Sequence, residues 1–453
     1  MNKKVFSHKT IIKYTLVILI STIIQLGLLV AVALIPRSAI QSNMNESASY
    51  LLEKDVFFYL NEEDRSSYID RYADSILLNI AYNYDSKHPI ISVMSSSYYF
   101  TSTHNENENL NTTVTSNVEP TLDYIRYWHG SNVILRPLLT LLNIKEIYIL
   151  NGIVLFILII STLLLIKKYL GTAVSVCLSI SMIATSIWYV PFSLEYTWTI
   201  LLMLVACILT LVLRDKNTTV LYSLFIVIGS FTAYLDFLTT ETLTLMIPLI
   251  ILLIYNRENM DSLKSSIKFT FPMFFAWGVG YVSAWLIKWS LASVILKENV
   301  FSMALKQAQY RISGETDTIS GLAKNISAII RNITCLFPYS WTEKNVFFLF
   351  NITLGIIFVI YYLFKSQKKS YLSSFLLMLG CVPYLRYFIL ANHSYIHYFF
   401  TYRAQMTTIF CIGLLITFGI DKQLIKKQIN KLKKGLQYGK NQFRINYIDA
   451  LPK

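Results

Sequence analysis

Arg386, His393 and His397 recur in the stretch "PYLRYFILANHSYIH" at steps of seven and four, which puts all three on one face of a continued helix. A guanidinium fork matches phosphate oxygens, and an imidazole gives or takes a proton near neutral pH, so this stripe reads as an anion site in outline. Arg403 follows at the start of the next apolar run. Arg386 itself lies inside an apolar run, about 7 Å from its end at the helical rise. An arginine at that depth costs up to about 3 kcal/mol and faces a cavity or a partner. Snorkelling at an interface accounts for Arg403 well and for Arg386 poorly.

Acids supply the complementary chemistry. In "IDRYADSILLNIAY", Asp70 and Asp74 are four residues apart and share a face if the stretch is helical. Such a pair suits a general base and a ligand for a hard divalent ion, or else a solvated face carrying Asp70, Arg71 and Asp74. In "RYWHGSNVILRPLL", Trp128 and His129 precede Gly130, and Arg136 precedes Pro137. An aromatic ring beside polar donors fits a sugar, although tryptophan near a bilayer surface also serves as an anchor. Two short polar links add Glu195 in "PFSLEYTW" and Asp236 and Glu241 in "YLDFLTTETL". Glu241, after two threonines, belongs to the first turn of a helix, where negative charge is favoured. Asp236 and Glu195 remain site candidates.

The elements that must position these groups are membrane helices. The chain has 453 residues, 54% hydrophobic and 15% charged, with mean hydropathy +0.49. A soluble domain does not carry that much apolar surface. Ten apolar runs are expected to span, roughly 12–35, 147–166, 171–190, 197–213, 219–236, 241–255, 269–290, 345–364, 371–391 and 404–420. Each must be a helix, because backbone groups in hydrocarbon have to be satisfied within the segment. The first run is longer than a signal-peptide core.

Basic residues collect in alternate links: Lys3, Lys4, Lys9 and Lys13, then Lys167 and Lys168, Arg214 and Lys216, Arg257, Lys264 and Lys268, Lys365, Lys368 and Lys369, and the 421–453 tail. With ten spans all of these fall on one side, which makes that side and both termini cytoplasmic. The net charge of +14 is then topological and needs no nucleic acid. The domain plan is a transmembrane unit over 1–420 and a basic cytoplasmic tail over 421–453. Five scattered cysteines give neither a disulfide framework nor a zinc spacing.

Two long outer loops, about 36–146 and 291–344, carry most of the polar chemistry. "SASYLLEKDVFFYL" places Leu51, Leu52, Val56, Phe57 and Leu60 on one helical stripe, and "SNVILRPLLTLLN" does the same with Ile134, Leu135, Leu138, Leu139 and Leu142. Both are expected as interfacial helices roofing a cavity. The polar stretch 101–117 is expected as a mobile tether.

In topology, with cytoplasmic ends, many spans and a large acidic first outer loop, the chain resembles the GT-C superfamily of polyprenyl-phosphate-sugar-dependent glycosyltransferases. The strings "RYWHG…LRPLL", "LDFLTTETLTL" and "NHSYIHYFFTYR" are also similar to those of uncharacterised multi-pass membrane proteins of low-GC Gram-positive bacteria. The resemblance implies an all-α polytopic fold and a catalytic acid in the first outer loop, Asp74 or Asp70. It maps the donor phosphate to the Arg386–His397 face. It does not fix a cofactor; Mg or Mn is compatible and neither is required. The chain departs from the superfamily just after the first span, where "IPRSAIQSNMNE" offers only Glu46.

The expected activity is hexosyl transfer from a polyprenyl-phosphate-linked sugar to a cell-envelope glycan outside a bacterial membrane. An outer-loop carboxylate would act as general base, with arginine and histidine holding the phosphate. The expected partners are that lipid-linked sugar, the glycan acceptor and membrane lipids. A surface polysaccharide polymerase or ligase would show a larger late outer loop. A lipid-linked oligosaccharide flippase or transporter would show ionisable pairs deep in several spans and matching halves.

Overall fold

The computed structural model describes residues 8–314, 319–337, 343–364, 370–421, 423–427 and 430. Lys3, Lys4, Lys365, Lys368, Lys369 and nearly all of the 421–453 tail lie outside the described residues. The fold is helical, and among the described residues strand occurs only as two short antiparallel ribbons, Phe57–Tyr59 with Tyr68–Asp70 and Ser97–Tyr98 with Leu122–Asp123.

Among the described residues, seven helices are long and apolar enough to cross a bilayer: Thr10–Ala33, Ile144–Leu170, Leu194–Val212, Thr218–Leu235, Leu263–Leu296, Tyr371–Ile389 and Tyr398–Gly419. The chain is thus a multi-pass helical membrane protein. The three other expected spans coincide with shorter apolar helices, Thr172–Ala184, Thr242–Tyr255 and Phe348–Val359. Thr242–Tyr255 has 14 residues, about 21 Å of helix against a hydrocarbon core of about 30 Å. It is buried over nearly its whole length, so neighbouring helices surround it where lipid would surround a peripheral span.

Local chemistry explains the ends. Asn143 and Glu146 form a capping box that starts Ile144–Leu170, Lys167 and Lys168 sit in its last turn, and Gly171 at φ +96° stops it. Ser193 and Asn217 cap the next two long helices through their side-chain oxygens. The Thr218–Leu235 and Leu263–Leu296 helices touch backbone to backbone: a Cβ at Gly229 would lie 2.0 Å from the Trp277 carbonyl oxygen, and one at Gly280 would lie 2.0 Å from that of Ile226. Small residues permit this approach, which fixes where the aromatic upper part of Leu263–Leu296 stands.

The long link between the first two spans has its own core, built from Ile40, Met44, Leu51, Leu77, Leu110 and Leu135 and continuing into Leu194 and Trp198. Three local expectations change here. The helical stripe ends at Leu52, and Phe57 lies in a strand instead, paired opposite Asp70. Consecutive aromatics favour the pleated ribbon over a further helical turn. The supposed tether contains the helix Glu106–Ser116, started by an Asn105–Glu108 capping box and packed through Asn107, Leu110 and Val114. Finally, Arg71–Asn83 is helical, but Asp70 is its extended N-cap, at φ −111° and ψ 92°, so Asp70 and Asp74 do not share a helical face.

Candidate functional site

The links between long helices gather their acids at one end of the bundle. Asp70 accepts from the Ala73 amide at 2.8 Å, and its carboxyl also meets that of Glu195 in a hydrogen bond. Burial raises its pKa, and Glu106 adds to the effect against the helix amides that oppose it. Two carboxyls in contact do not both ionise, so the pair holds one proton between them. Glu195 stands in the first turn after Ser193, within electrostatic reach of Asp70, Asp74, Arg311 and Asp236. Its Oε2 is buried and has no hydrogen-bond partner. An unpartnered acceptor beside a shared proton is able to take up a proton.

Asp74, the leading catalytic acid by resemblance, is placed otherwise. It is fully buried, takes the Leu194 amide at 2.7 Å and the Ser193 hydroxyl at 3.5 Å, and accepts from the Tyr148 hydroxyl. Burial pushes its pKa up to about 8, against the Tyr148 hydrogen bond. It ties the Arg71–Asn83 helix to two spanning helices. Asp236 is likewise a turn lock, accepting from Thr199 Oγ1 at 2.7 Å and from the amide and hydroxyl of Thr239.

The expected cationic stripe is split. Its helix breaks into Val382–Ile389 and Ala391–Ile396. Arg386 forms a bidentate pair with Glu241, Nε to Oε1 at 2.8 Å and a terminal nitrogen to Oε2 at 3.1 Å. It also donates to the Leu238 carbonyl at 2.5 Å and Ser394 Oγ at 3.2 Å. Glu241 therefore holds the charge of Arg386, which corrects the assignment of that arginine as a free phosphate clamp. Glu241 makes no side-chain capping bond at its helix start. Arg403 is fully buried, with long contacts to the Phe399 and Ser66 carbonyls and its guanidinium over the Tyr196 and Tyr402 rings.

The sugar-face candidates are also built into the core. Trp128 is buried and donates to the Ala284 carbonyl at 2.9 Å. Arg136 donates to the carbonyls of Ala81, Ile35 and Tyr84, and burial lowers its pKa to about 10. His129, at φ +53°, contacts the Tyr124 carbonyl through Nε2 at 2.9 Å. Burial lowers its pKa to about 3, so it is neutral and donates that bond. Its effect on the site is indirect, through Tyr124.

Two cations that the sequence reading did not single out complete the site. Arg311, on the helix Val300–Ser313, donates from one nitrogen to His393 Nδ1 at 2.9 Å and His397 Nε2 at 2.8 Å. Both histidines must be neutral to accept, and His393 Nε2–H then donates to the Leu238 carbonyl at 2.8 Å. Arg126 lies over the rings of Tyr124 and Tyr127. Both arginines have a buried Nε with no partner. They border a cleft of about 270 Å³ between Leu263–Leu296 and Val300–Ser313, whose walls include Tyr127, Tyr281, Trp285 and Trp289. Ala304, Ala308 and Arg311 share that helix face at the three- and four-residue spacing, a signal readable in "ALKQAQYR". Tyr124 connects the halves: it hydrogen-bonds Arg126 and lies within electrostatic reach of Arg311 and Glu195.

Among the described residues, no group of three or more His, Cys, Asp or Glu side chains is arranged to hold a metal ion. The chain matches no family model, no curated protein and no solved structure.

Proposed function

We propose that this protein transfers a sugar from a polyprenyl-phosphate donor to a cell-surface glycan on the extracytoplasmic side of a bacterial membrane. The reading takes ten spans with both ends cytoplasmic, as the basic links imply. The observation that carries it is the aromatic cleft bordered by Arg126 and Arg311, next to the Asp70–Glu195 carboxyl pair. An isoprenoid chain suits an apolar, tryptophan-lined wall, and two guanidinium groups without carboxylate partners suit its phosphate.

In the reaction, the acceptor hydroxyl oxygen attacks the anomeric carbon as the bond from that carbon to the phosphate oxygen breaks. The ionised member of the Asp70–Glu195 pair takes the hydroxyl proton, and polyprenyl phosphate leaves with the bonding electrons. Arg126 and Arg311 stabilise the charge that collects on the phosphate. Because this is a single direct displacement, the anomeric configuration inverts.

The test is binding of undecaprenyl phosphate to the purified protein in nanodiscs, with surface-glycan composition measured in cells. Arg126→Ala and Arg311→Ala should each weaken lipid binding at least roughly tenfold, the scale of a lost charge-assisted hydrogen bond. Glu195→Gln should retain lipid binding and lose the sugar branch. Lipid affinity unchanged in both arginine variants sinks the proposal.

A further inference from the structure

We infer that the acceptor is a neutral or amino-sugar oligosaccharide that lies along a polar cavity and an aromatic ledge leading to Asp70. The inference rests on the glycosyl-transfer reading and adds where the acceptor docks and what class it belongs to. The cavity, of about 320 Å³, lies between the Leu52–Asp55 segment and the start of Glu106–Ser116, and its walls present Glu53, Lys54, Asp55, Asn105 and Glu108. Asn105 and Glu108 each give one oxygen to the capping box that starts their helix, so the Asn105 side-chain amide nitrogen, the second Glu108 oxygen, Glu53, Asp55 and Lys54 remain to offer donors and acceptors to a row of sugar hydroxyls. The walls are held in place from behind. Asn107, 1% exposed, donates to the Leu51 carbonyl at 2.8 Å and the Lys54 carbonyl at 3.1 Å and accepts from Ser75 at 2.7 Å. The concavity is therefore fixed before any ligand arrives.

From the cavity wall the chain runs on towards the acids. Lys54 and Asp55 run into the strand Phe57–Tyr59, in which Phe57 stands opposite Asp70. The Phe57 and Tyr72 rings are near-parallel at 5.8 Å and 11°, and Tyr68 stacks on Phe57 at 5.7 Å. Phe57 and Tyr72 are 37% and 38% exposed, and Phe57 also meets Phe399 edge-on at 6.1 Å. Tyr72 donates to Glu106, a buried acid on the helix that walls the cavity. Flat exposed rings with a carboxylate at the edge match the two characters of a pyranose, its C–H face and its hydroxyl rim.

A lipid surface is the other chemistry that takes exposed aromatics. The three carboxylates of the cavity oppose it, because they would be brought against anionic headgroups. The same carboxylates oppose a phosphate-bearing or uronic acid acceptor and favour a neutral or amino-sugar chain.

The experiment uses the full-length protein in nanodiscs without donor lipid, with maltotetraose, cellotetraose, chitotetraose and a glucosamine tetramer as probes in saturation-transfer NMR. At least one probe should bind. Phe57→Ala and Tyr72→Ala should weaken that binding roughly tenfold, while Tyr72→Phe, which keeps the ring, should hold it within about threefold. Binding that survives both alanine variants, or no binding of any probe, overturns the inference. Because donor lipid is absent, a failure here is separate from a failure of the arginine variants to weaken undecaprenyl-phosphate binding.

Discussion

Replacing Glu241 with Gln removes one charge from a bidentate pair whose side chains are 5% and 8% exposed. Charge centres about 4 Å apart attract by about 4 kcal/mol at an effective dielectric constant near 20. Arg386 would keep the Leu238 carbonyl and Ser394 hydroxyl, so the stranded cation is partly solvated by the protein. The expected loss is about 3 kcal/mol, the lower end of the range for breaking a buried pair. Arg386→Met strands the carboxylate and also removes two hydrogen bonds of about 1 kcal/mol each, which moves the loss towards about 5 kcal/mol. The double variant leaves no buried charge, so it should cost less than the two single losses added together, with a coupling of about 3 kcal/mol. Unfolding of the protein from mixed micelles with dodecyl sulfate, followed by tryptophan fluorescence, measures all three. Single losses under about 1 kcal/mol that simply add, accompanied by lost undecaprenyl-phosphate binding in Arg386→Met, would show that Arg386 faces ligand and that the pairing argument fails.

Three further outcomes follow from the same geometry. Burial lifts Asp74 from 3.8 to about 8, so the folded chain prefers it protonated and its contribution to stability is lost as pH rises from about 4 through about 8. Asp74→Asn, which can still accept from the Leu194 amide, should flatten that decline, and an unfolding midpoint with unchanged pH slope would contradict it. His397 is held down at about 3 by burial, then Arg311 and Arg386; its contribution is complete above pH 6.5 and erodes as pH falls towards about 3. His397→Gln should weaken that acid-side erosion, read as the unfolding midpoint between pH 7 and pH 4. Gly280→Ala forces a methyl to 2.0 Å from the Ile226 carbonyl oxygen and should cost about 1–3 kcal/mol or more, whereas Gly278→Ala, with open space around it, should be nearly silent in the same unfolding assay.

Long-period apolarity made the helical membrane architecture legible, and capping residues such as Asn143 and Ser193 mark helix starts in the sequence itself. Charge accounting was less legible because it depends on contacts between distant links. Nothing in "PYLRYFILANHSYIH" tells that Glu241, 145 positions away, neutralises Arg386. Asp70 and Asp74 are four apart, yet an extended N-cap turns one towards Glu195 and leaves the other against Tyr148. Polar composition misled in the 101–117 stretch, where the buried Asn107 satisfies two backbone carbonyls of a neighbouring segment. Arg311 was readable in principle, from the small residues preceding it on one helix face.

What sets Arg126 and Arg311 apart from most other interior cations is the group that neutralises each. Arg71 donates to the Tyr50 and Leu51 carbonyls, Arg136 to those of Ala81 and Tyr84, and Lys288 to those of Val93 and Met94. Each set lies at the C-terminal end of a helix, where carbonyls lack intrahelical partners and the dipole is negative, so these three buried cations act as caps. Arg386 is matched by Glu241. Arg126 lies over two rings, and Arg311, in the last turn of its own helix, donates to two neutral histidines; among the described residues neither has a carboxylate in ion-pair contact, and across Tyr124 the Asp70–Glu195 pair has no cation in such contact. Holding these cations and acids apart inside the fold without ion-pair partners costs stability. A ligand with a phosphate at one end and a reacting hydroxyl at the other would relieve both at once, and a donor sugar phosphate meeting its acceptor has that charge distribution.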